Sequence, residues 1–406
     1  MKMTNLSKAA AAEDDGIASG SSVSRKLALL FAATCGLAVA NIYYAQPLLD
    51  VLSKEFAMAN STIGIITTAT QICYALGLLL LVPLGDLLNQ RRLIVGQMLL
   101  SVAALVVVGT ASSAAVLIAG IAAVGLLAVI VQTIVAFAAT LAAPSERGRV
   151  IGLVTSGVVI GILLARTVAG ILTDLAGWRS VYLASAAMTL LMASILLRAL
   201  PNRSRVITDL TYSHLIRSVI LLFAQEKVLR VRGVLGLLIF AAFSILWTSL
   251  VLPLSSPPFS LSHSAIGAFG LAGAAGALAA AGAGRLADRG LDQRTTGWAL
   301  FLLLASWLPM SLMSQTLWGL IVGVILLDFA VQAVHVTNQS LILSVRPEAR
   351  SRLTAAYMMF YSFGSAAGAI AATLTYSHAG WIGVCWLGAL VSAVALLFWI
   401  RTRRIV

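Results

Sequence analysis

The sequence predicts an all-α membrane protein, with twelve transmembrane helices arranged as two related halves of six. Three observations predict it. Of 406 residues, 60% are hydrophobic and 10% charged, against about 45–50% and about 25% in soluble domains. That apolar excess runs along the whole chain, which excludes a soluble enzyme held by a single anchor. The two halves also repeat each other: Ser61 and Gly64 recur as Ser264 and Gly267, an offset of 264 − 61 = 203.

The elements follow in order. Residues 1–24 are rich in Ala, Ser and Gly, carry Glu13, Asp14 and Asp15, and read as a disordered cytoplasmic tail. They do not read as a cleaved signal peptide, because the first apolar run, Leu27 to Leu49, is long enough to span and many others follow. Apolar runs bounded by charges place the first half (25–197) in spans 27–49, 61–84, 93–111, 114–142, 150–173 and 180–197. The interval 198–233 mixes basic and apolar residues, among them Leu210, His214, Arg217, Leu221 and Lys227. It predicts a cytoplasmic helix on the membrane surface that tethers the halves. The second half (234–406) holds spans 234–253, 264–284, 297–314, 316–344, 353–376 and 381–400.

The net charge of +13 raises nucleic acid as a partner until the charges are placed. With the N-terminus in the cytoplasm, 24 of the 27 Lys and Arg residues fall on the inner side; the exceptions are Lys54, Arg179 and, within a span, Arg166. That asymmetry sets orientation, so both termini are expected in the cytoplasm and no nucleic-acid partner is implied. Cys35, Cys73 and Cys385 all lie within spans, far apart, and read as small packing residues.

The repeat extends over more than a hundred residues. Pro144, Arg147 and Arg149 recur as Pro347, Arg350 and Arg352, Gly161 as Gly364, and Gly177-Trp178 as Gly380-Trp381, all at 203; Asp86 and Asp288 differ by 202. A duplicated six-span unit predicts pseudo-two-fold halves around a central site.

Two loops sharpen this. Between spans two and three the chain reads Leu84-Gly85-Asp86-Leu87-Leu88-Asn89-Gln90-Arg91-Arg92, and between eight and nine Gly284-Arg285-Leu286-Ala287-Asp288-Arg289-Gly290. In these loops, over residues 25–404, the chain resembles a major facilitator superfamily transporter. Within it, span five is similar to that of the bacterial twelve-span drug:proton antiporters, with Gly157, Gly161 and Gly170 at the glycine spacing of their motif. Ala165-Arg166 stands where those antiporters usually have Gly-Pro, and span four has no Arg between Ser113 and Leu141. The resemblance implies the superfamily fold and spans 1, 4, 7 and 10 lining a cavity. It also implies a gating role for Asp86, Arg91, Arg92, Asp288, Arg289 and Arg294, latching the cytoplasmic side through Asp–Arg pairs. Plain topology also accounts for the arginines, but not for the repeated acid.

Charge inside hydrocarbon points to function, because a central Arg or Asp costs at least about 2.5–3.5 kcal/mol. Arg166 lies 17 residues from Arg149, and Asp328 lies 18 from Arg346, so both sit roughly 25–27 Å from the cytoplasmic end. Gln332, His335 and Gln339 share the helix face of Asp328, with Asn338 nearby. Asp328 and His335 are the expected proton-coupling pair. A hydrogen-bonded seam between helices is the rival for His335, and static packing the rival for Arg166. The expected substrate contacts are Asn41, Tyr44, Gln132, Arg166, Trp247, Gln332 and Asn338. Gln71, Tyr74, Tyr357 and Tyr361 are weaker candidates, and Tyr44 equally suits an interface anchor.

These residues predict a secondary active carrier that exports a small organic compound in exchange for protons. It is expected in the bacterial inner membrane, as a monomer without cofactor or bound metal. Two rivals stay open: a proton symporter taking up an organic anion, and a receptor or scaffold that transports nothing. A Walker loop is absent, which argues against an ATP-driven pump, and no clustered acids or His/Cys set suggests an enzyme.

Overall fold

The computed structural model describes residues 24–143, 146–201, 211–273, 291–346 and 349–403, and for Asp86 the backbone alone. Span one is the helix Arg25–Tyr43, continued through a 3-10 turn Gln46–Leu48 into Leu49–Glu55. Pro47 sits in that turn and has no N–H to continue the ladder, which accounts for the break. Spans two and three are Ile65–Leu80 and Gln90–Gly109, and span four is Ala114–Leu127 followed by Ile130–Leu141. Spans five and six, Arg147–Ala176 and Trp178–Ala199, meet at Gly177.

In the second half, span seven is Lys227–Ser249 with Val251–Leu254, and span eight is described over His263–Ala272. Span nine is Asp292–Ala305 with Trp307–Ser311, and span ten is Leu317–Val345. Spans eleven and twelve run within Arg350–Thr402 and part at Gly380, which has φ 59° and ψ −158°. Gly177, 203 residues earlier, has φ 78° and ψ 161°. Both conformations are ones that an L side chain resists, so the repeated Gly-Trp pair marks the same joint in each half. Among the described residues each of the twelve predicted spans has its helix, span eight over His263–Ala272 alone. The tail 1–23 and residues 274–284 of the predicted span eight lie outside the described residues.

Large apolar side chains cover the outside, including Leu175 at 77% and Trp318 at 74% exposure. In water this would be a liability, but around a helical bundle it is the lipid-facing surface. The end carrying Arg91, Arg147, Arg346 and Arg350 is called the basic end below, and the opposite one the far end. A helix, Tyr212–Gln225, falls in the predicted linker interval. It buries Leu215, Val219 and Leu222, and the last two join Leu353 and Tyr357 in one apolar cluster.

One boundary differs from expectation. Span seven begins at Lys227, not 234, so Lys227, Arg230 and Arg232 extend a helix instead of belonging to a loop. Arg232 is buried, donating to Thr296 Oγ1 at 3.4 Å, which adds a buried charge to those of Arg166 and Asp328.

The halves meet at two pseudo-symmetric junctions. Spans two and eleven touch where Gly64 lies against the Ala369 carbonyl, and spans eight and five where Gly267 lies against the Arg166 carbonyl. Gly64 and Gly267 are 203 apart, as are Arg166 and Ala369. At each position a Cβ would overlap the partner backbone, so glycine permits the close approach. Thr68 Oγ1 donates to Ala366 O at 2.9 Å in one junction, and Thr167 Oγ1 to Gly267 O at 3.0 Å in the other.

Candidate transport site

Between the junctions, the break in span one turns Gln46 inward. Gln46 Oε1 accepts from Arg166 Nε of span five at 3.0 Å. The Arg166 guanidinium lies 3.8 Å from the Trp247 ring centroid, 5.1 Å from that of Tyr43 and 5.4 Å from that of Phe243. Such a cage offers a buried cation quadrupole attraction where water is excluded. Its Nη2 has no hydrogen-bond partner among the described residues. Across the same indole, Trp247 Nε1 donates to Asp328 Oδ1 of span ten at 3.2 Å. Gly273 of the span-eight segment leaves room for Asp328 Oδ2, which a Cβ there would crowd. Arg166 and Asp328 are 3% and 5% exposed and are not paired within 4 Å; Trp247 stands between them.

Toward the basic end, polar and aromatic groups continue in a column. The Tyr43 and Tyr361 hydroxyls share a hydrogen bond at 2.5 Å, and Tyr361 packs edge-on against Phe240 and Tyr74. Gln132 Nε2 donates to the Tyr74 hydroxyl at 3.5 Å. Below these, His335 Nδ1 lies 3.0 Å from the Tyr357 hydroxyl, and Asn338 Nδ2 donates to the Arg232 carbonyl at 3.2 Å. Gln332 is half-buried on the same helix.

Arg166, Trp247 and Asp328 thus come together at the interface of the halves, with Gln132 and His335 lower in the column. Asn41 and Tyr44 do not join them. Asn41 Oδ1 accepts from Ser185 of span six at 2.6 Å and lines a crevice inside the first half with Ser101 and Thr189. Tyr44 packs edge-on against Tyr182, also of span six. The two share a helix face, as expected, but that face packs into their own half. Asn338 is likewise spent on a backbone carbonyl within the second half. Sequence reasoning misses Gln46, Tyr43 and Phe243 as site residues. Gln46 carries a signal, a polar residue beside the span's proline.

Of the gating residues, Arg91 donates to the Leu197 carbonyl, while Arg92 and Arg294 are exposed. None of these three forms an ion pair among the described residues. Asp288, Arg289 and the Asp86 side chain lie outside them.

Two halves of six spans, matched glycine joints and buried charges at their interface describe one architecture, and a Major Facilitator Superfamily model matches residues 29–295 and 233–405. The chain belongs to the major facilitator superfamily. It is a multi-pass membrane transporter, not an enzyme. It is similar to "Putative uncharacterized transporter YgaY" of Escherichia coli (strain K12), 48% identical over 379 residues, covering 93% of this chain and 96% of that one. Among solved superfamily structures it resembles a bacterial homolog of the human lysosomal transporter Spinster, inward-facing and unoccupied. There the TM-score is 0.74 at 14% identity, covering 93% and 96% of the two chains. It also resembles the human organic anion transporter MFSD10, with TM-score 0.66 at 19% identity, covering 93% and 100%. At these identities the two structures speak for the fold alone.

Proposed function

We propose that this transporter exports a small organic compound in exchange for protons, by alternating access between the two halves, with Asp328 taking proton and substrate in turn. One observation carries the reading. A buried carboxylate of the second half faces a buried guanidinium of the first across a shared indole, at the plane where the halves part. Intramembrane acids so placed default to proton or substrate work. A protonated Asp328 has no charge to offer a substrate donor, and an ionised one does, so the two occupants exclude each other. Arg166 and its aromatic cage hold the opposing surface. The export direction rests on the resemblance of span five to the antiporters, and cytoplasmic termini in the inner membrane rest on the basic end.

The unpartnered Nη2 of Arg166 favours a second reading: a carboxylate or similar anion binds there while Asp328 is protonated, which makes the carrier a proton–anion symporter. MFSD10, named as an organic anion transporter, is a fold-level parallel. Everted vesicles energised with a proton gradient separate the readings, using compounds found by growing deletion and overexpression strains on a toxic-compound panel. An exporter accumulates its compound inside them. Asp328→Asn is expected to abolish gradient-driven accumulation while downhill exchange persists. Gradient-driven accumulation at the native level in Asp328→Asn rules out Asp328 as the carrier of the proton.

A further inference from the structure

Away from the central cluster, three titratable groups drawn from both halves meet at the far end. His263 is the first residue of the span-eight helix His263–Ala272. Its Nδ1 lies 3.2 Å from Asp174 Oδ1, and its Nε2 lies 3.1 and 3.3 Å from the two oxygens of Asp50. The His263 N–H donates to Asp174 Oδ1 at 3.1 Å, and Ser264 donates to Asp174 Oδ2 from its backbone N–H at 2.7 Å and its hydroxyl at 2.5 Å. Asp50 and Asp174 belong to the first half, His263 and Ser264 to the second. The contact therefore ties the halves together where Gly170 also lies against the His263 backbone.

A neutral imidazole has a single N–H, and only the imidazolium donates from both nitrogens. Here both ring nitrogens face carboxylate oxygens, so the protonated ring alone satisfies both acids. Asp50 is 6% exposed, and a buried carboxylate that loses its partner is costly. We propose that His263, Asp50 and Asp174 form a proton-binding latch that holds the far end of this transporter closed, so that opening the far end releases a proton.

The position of the latch is asymmetric in a telling way. At an offset of 203 the residues matching Asp174 and His263 are Ser377 and Asn60, so the equivalent junction of spans two and eleven holds no titratable pair at those positions. Asp50 and Asp174 are the charged groups facing His263. Elsewhere at this end Arg179 and Glu55 pair with each other. With an acid on each ring nitrogen, the closed arrangement is the one that uses the imidazolium. When the halves part and both acids withdraw, the ring no longer needs its second proton. The latch is thus made while the ring is protonated and is lost as pH rises and the ring gives up that proton. On the orientation proposed above the far end faces outward, so external acid keeps the outer gate shut.

The test is a distance measurement by double electron–electron resonance on the full chain in lipid nanodiscs. Spin labels sit at Ser112→Cys and Ser256→Cys, far-end positions of the two halves, with the native cysteines replaced by Ala. In the otherwise native chain the short-distance population is expected to fall several-fold between about pH 5.5 and about pH 8.5, the range in which histidines titrate. His263→Gln should be open and insensitive to pH, and Asp50→Asn should be more open at the acid end. His263→Lys, which keeps the cation but does not titrate there, should stay closed at both values. A native distance distribution unchanged with pH overturns the latch without reference to any variant. So does a His263→Gln chain that keeps the native pH dependence. Neither result bears on Asp328.

Discussion

Arg166 is held by directional contacts that only its own geometry provides. A planar guanidinium can lie over Trp247 while Nε bonds Gln46 and Nη2 stays free; an ammonium cannot do all three. Losing the stacked face and one charge-assisted hydrogen bond costs about 1–3 kcal/mol. Arg166→Lys is therefore expected to lower transport efficiency by about fivefold or more, read from initial uptake rates in vesicles. Arg166→Gln should impair anionic compounds more than cationic ones, and equal losses would leave Arg166 a packing role alone. Both deep charges were legible in the sequence, because an ion within an apolar run is too costly to bury without a use. Their neighbours were not. Periodicity shows that Asn41 and Tyr44 share a face, but says nothing about which face meets the other half. In span one the turn at Pro47 delivers Gln46 to Arg166, while Asn41 stays with Ser185. Arg232 was hidden for the opposite reason: near a basic loop, an arginine reads as topology.

At the level of helices, the two junctions depend on backbones approaching at glycine. Gly267 packs its Cα against the Arg166 carbonyl and Thr167, and Thr167 bonds back to the Gly267 carbonyl. Gly267→Val inserts three carbons into backbone that has no flexible end to yield, and overpacking of this kind costs typically about 1–3 kcal/mol. The strain falls on the state in which spans five and eight touch, shifting the closed-to-open ratio at the far end by about fivefold at least. Thiol labelling of a cysteine placed at Thr167 should become faster in that background; an unchanged labelling rate would show that the junction does not close the far end. Span boundaries were readable because charges terminate apolar runs, and the joints at Gly177 and Gly380 because both halves carry a glycine followed by Trp. The break in span four between Leu127 and Ile130 was not readable, since residues 126–131 are apolar throughout and contain no proline.

The whole molecule is two bodies bonded at the far end and centre, and joined at the basic end by the linker helix. Tyr212 of that helix donates to the Leu80 carbonyl at 2.7 Å, and Glu226 pairs with Arg346 at 2.7 Å. Transport by alternating access requires the far-end bonds to break while the linker keeps the bodies together. Thr68 and Ala366 give a direct way to stop this, because Thr68 Oγ1 reaches the Ala366 carbonyl across the junction of spans two and eleven, far from His263 and its acids. In a background without native cysteines, Thr68→Cys with Ala366→Cys should cross-link on oxidation and halt net transport. Reduction should restore it, since a disulfide constrains the junction without altering Asp328 or Arg166. The single variants serve as controls for folding and for the lost hydrogen bond, which is worth about 0.5–1.5 kcal/mol and should slow transport only modestly. Cross-linked protein that still accumulates substrate against a gradient would mean that the far end need not part at this junction. The permeation path would then have to be sought elsewhere than between the halves, and the buried charges at their interface would lose the motion that gives them alternating exposure.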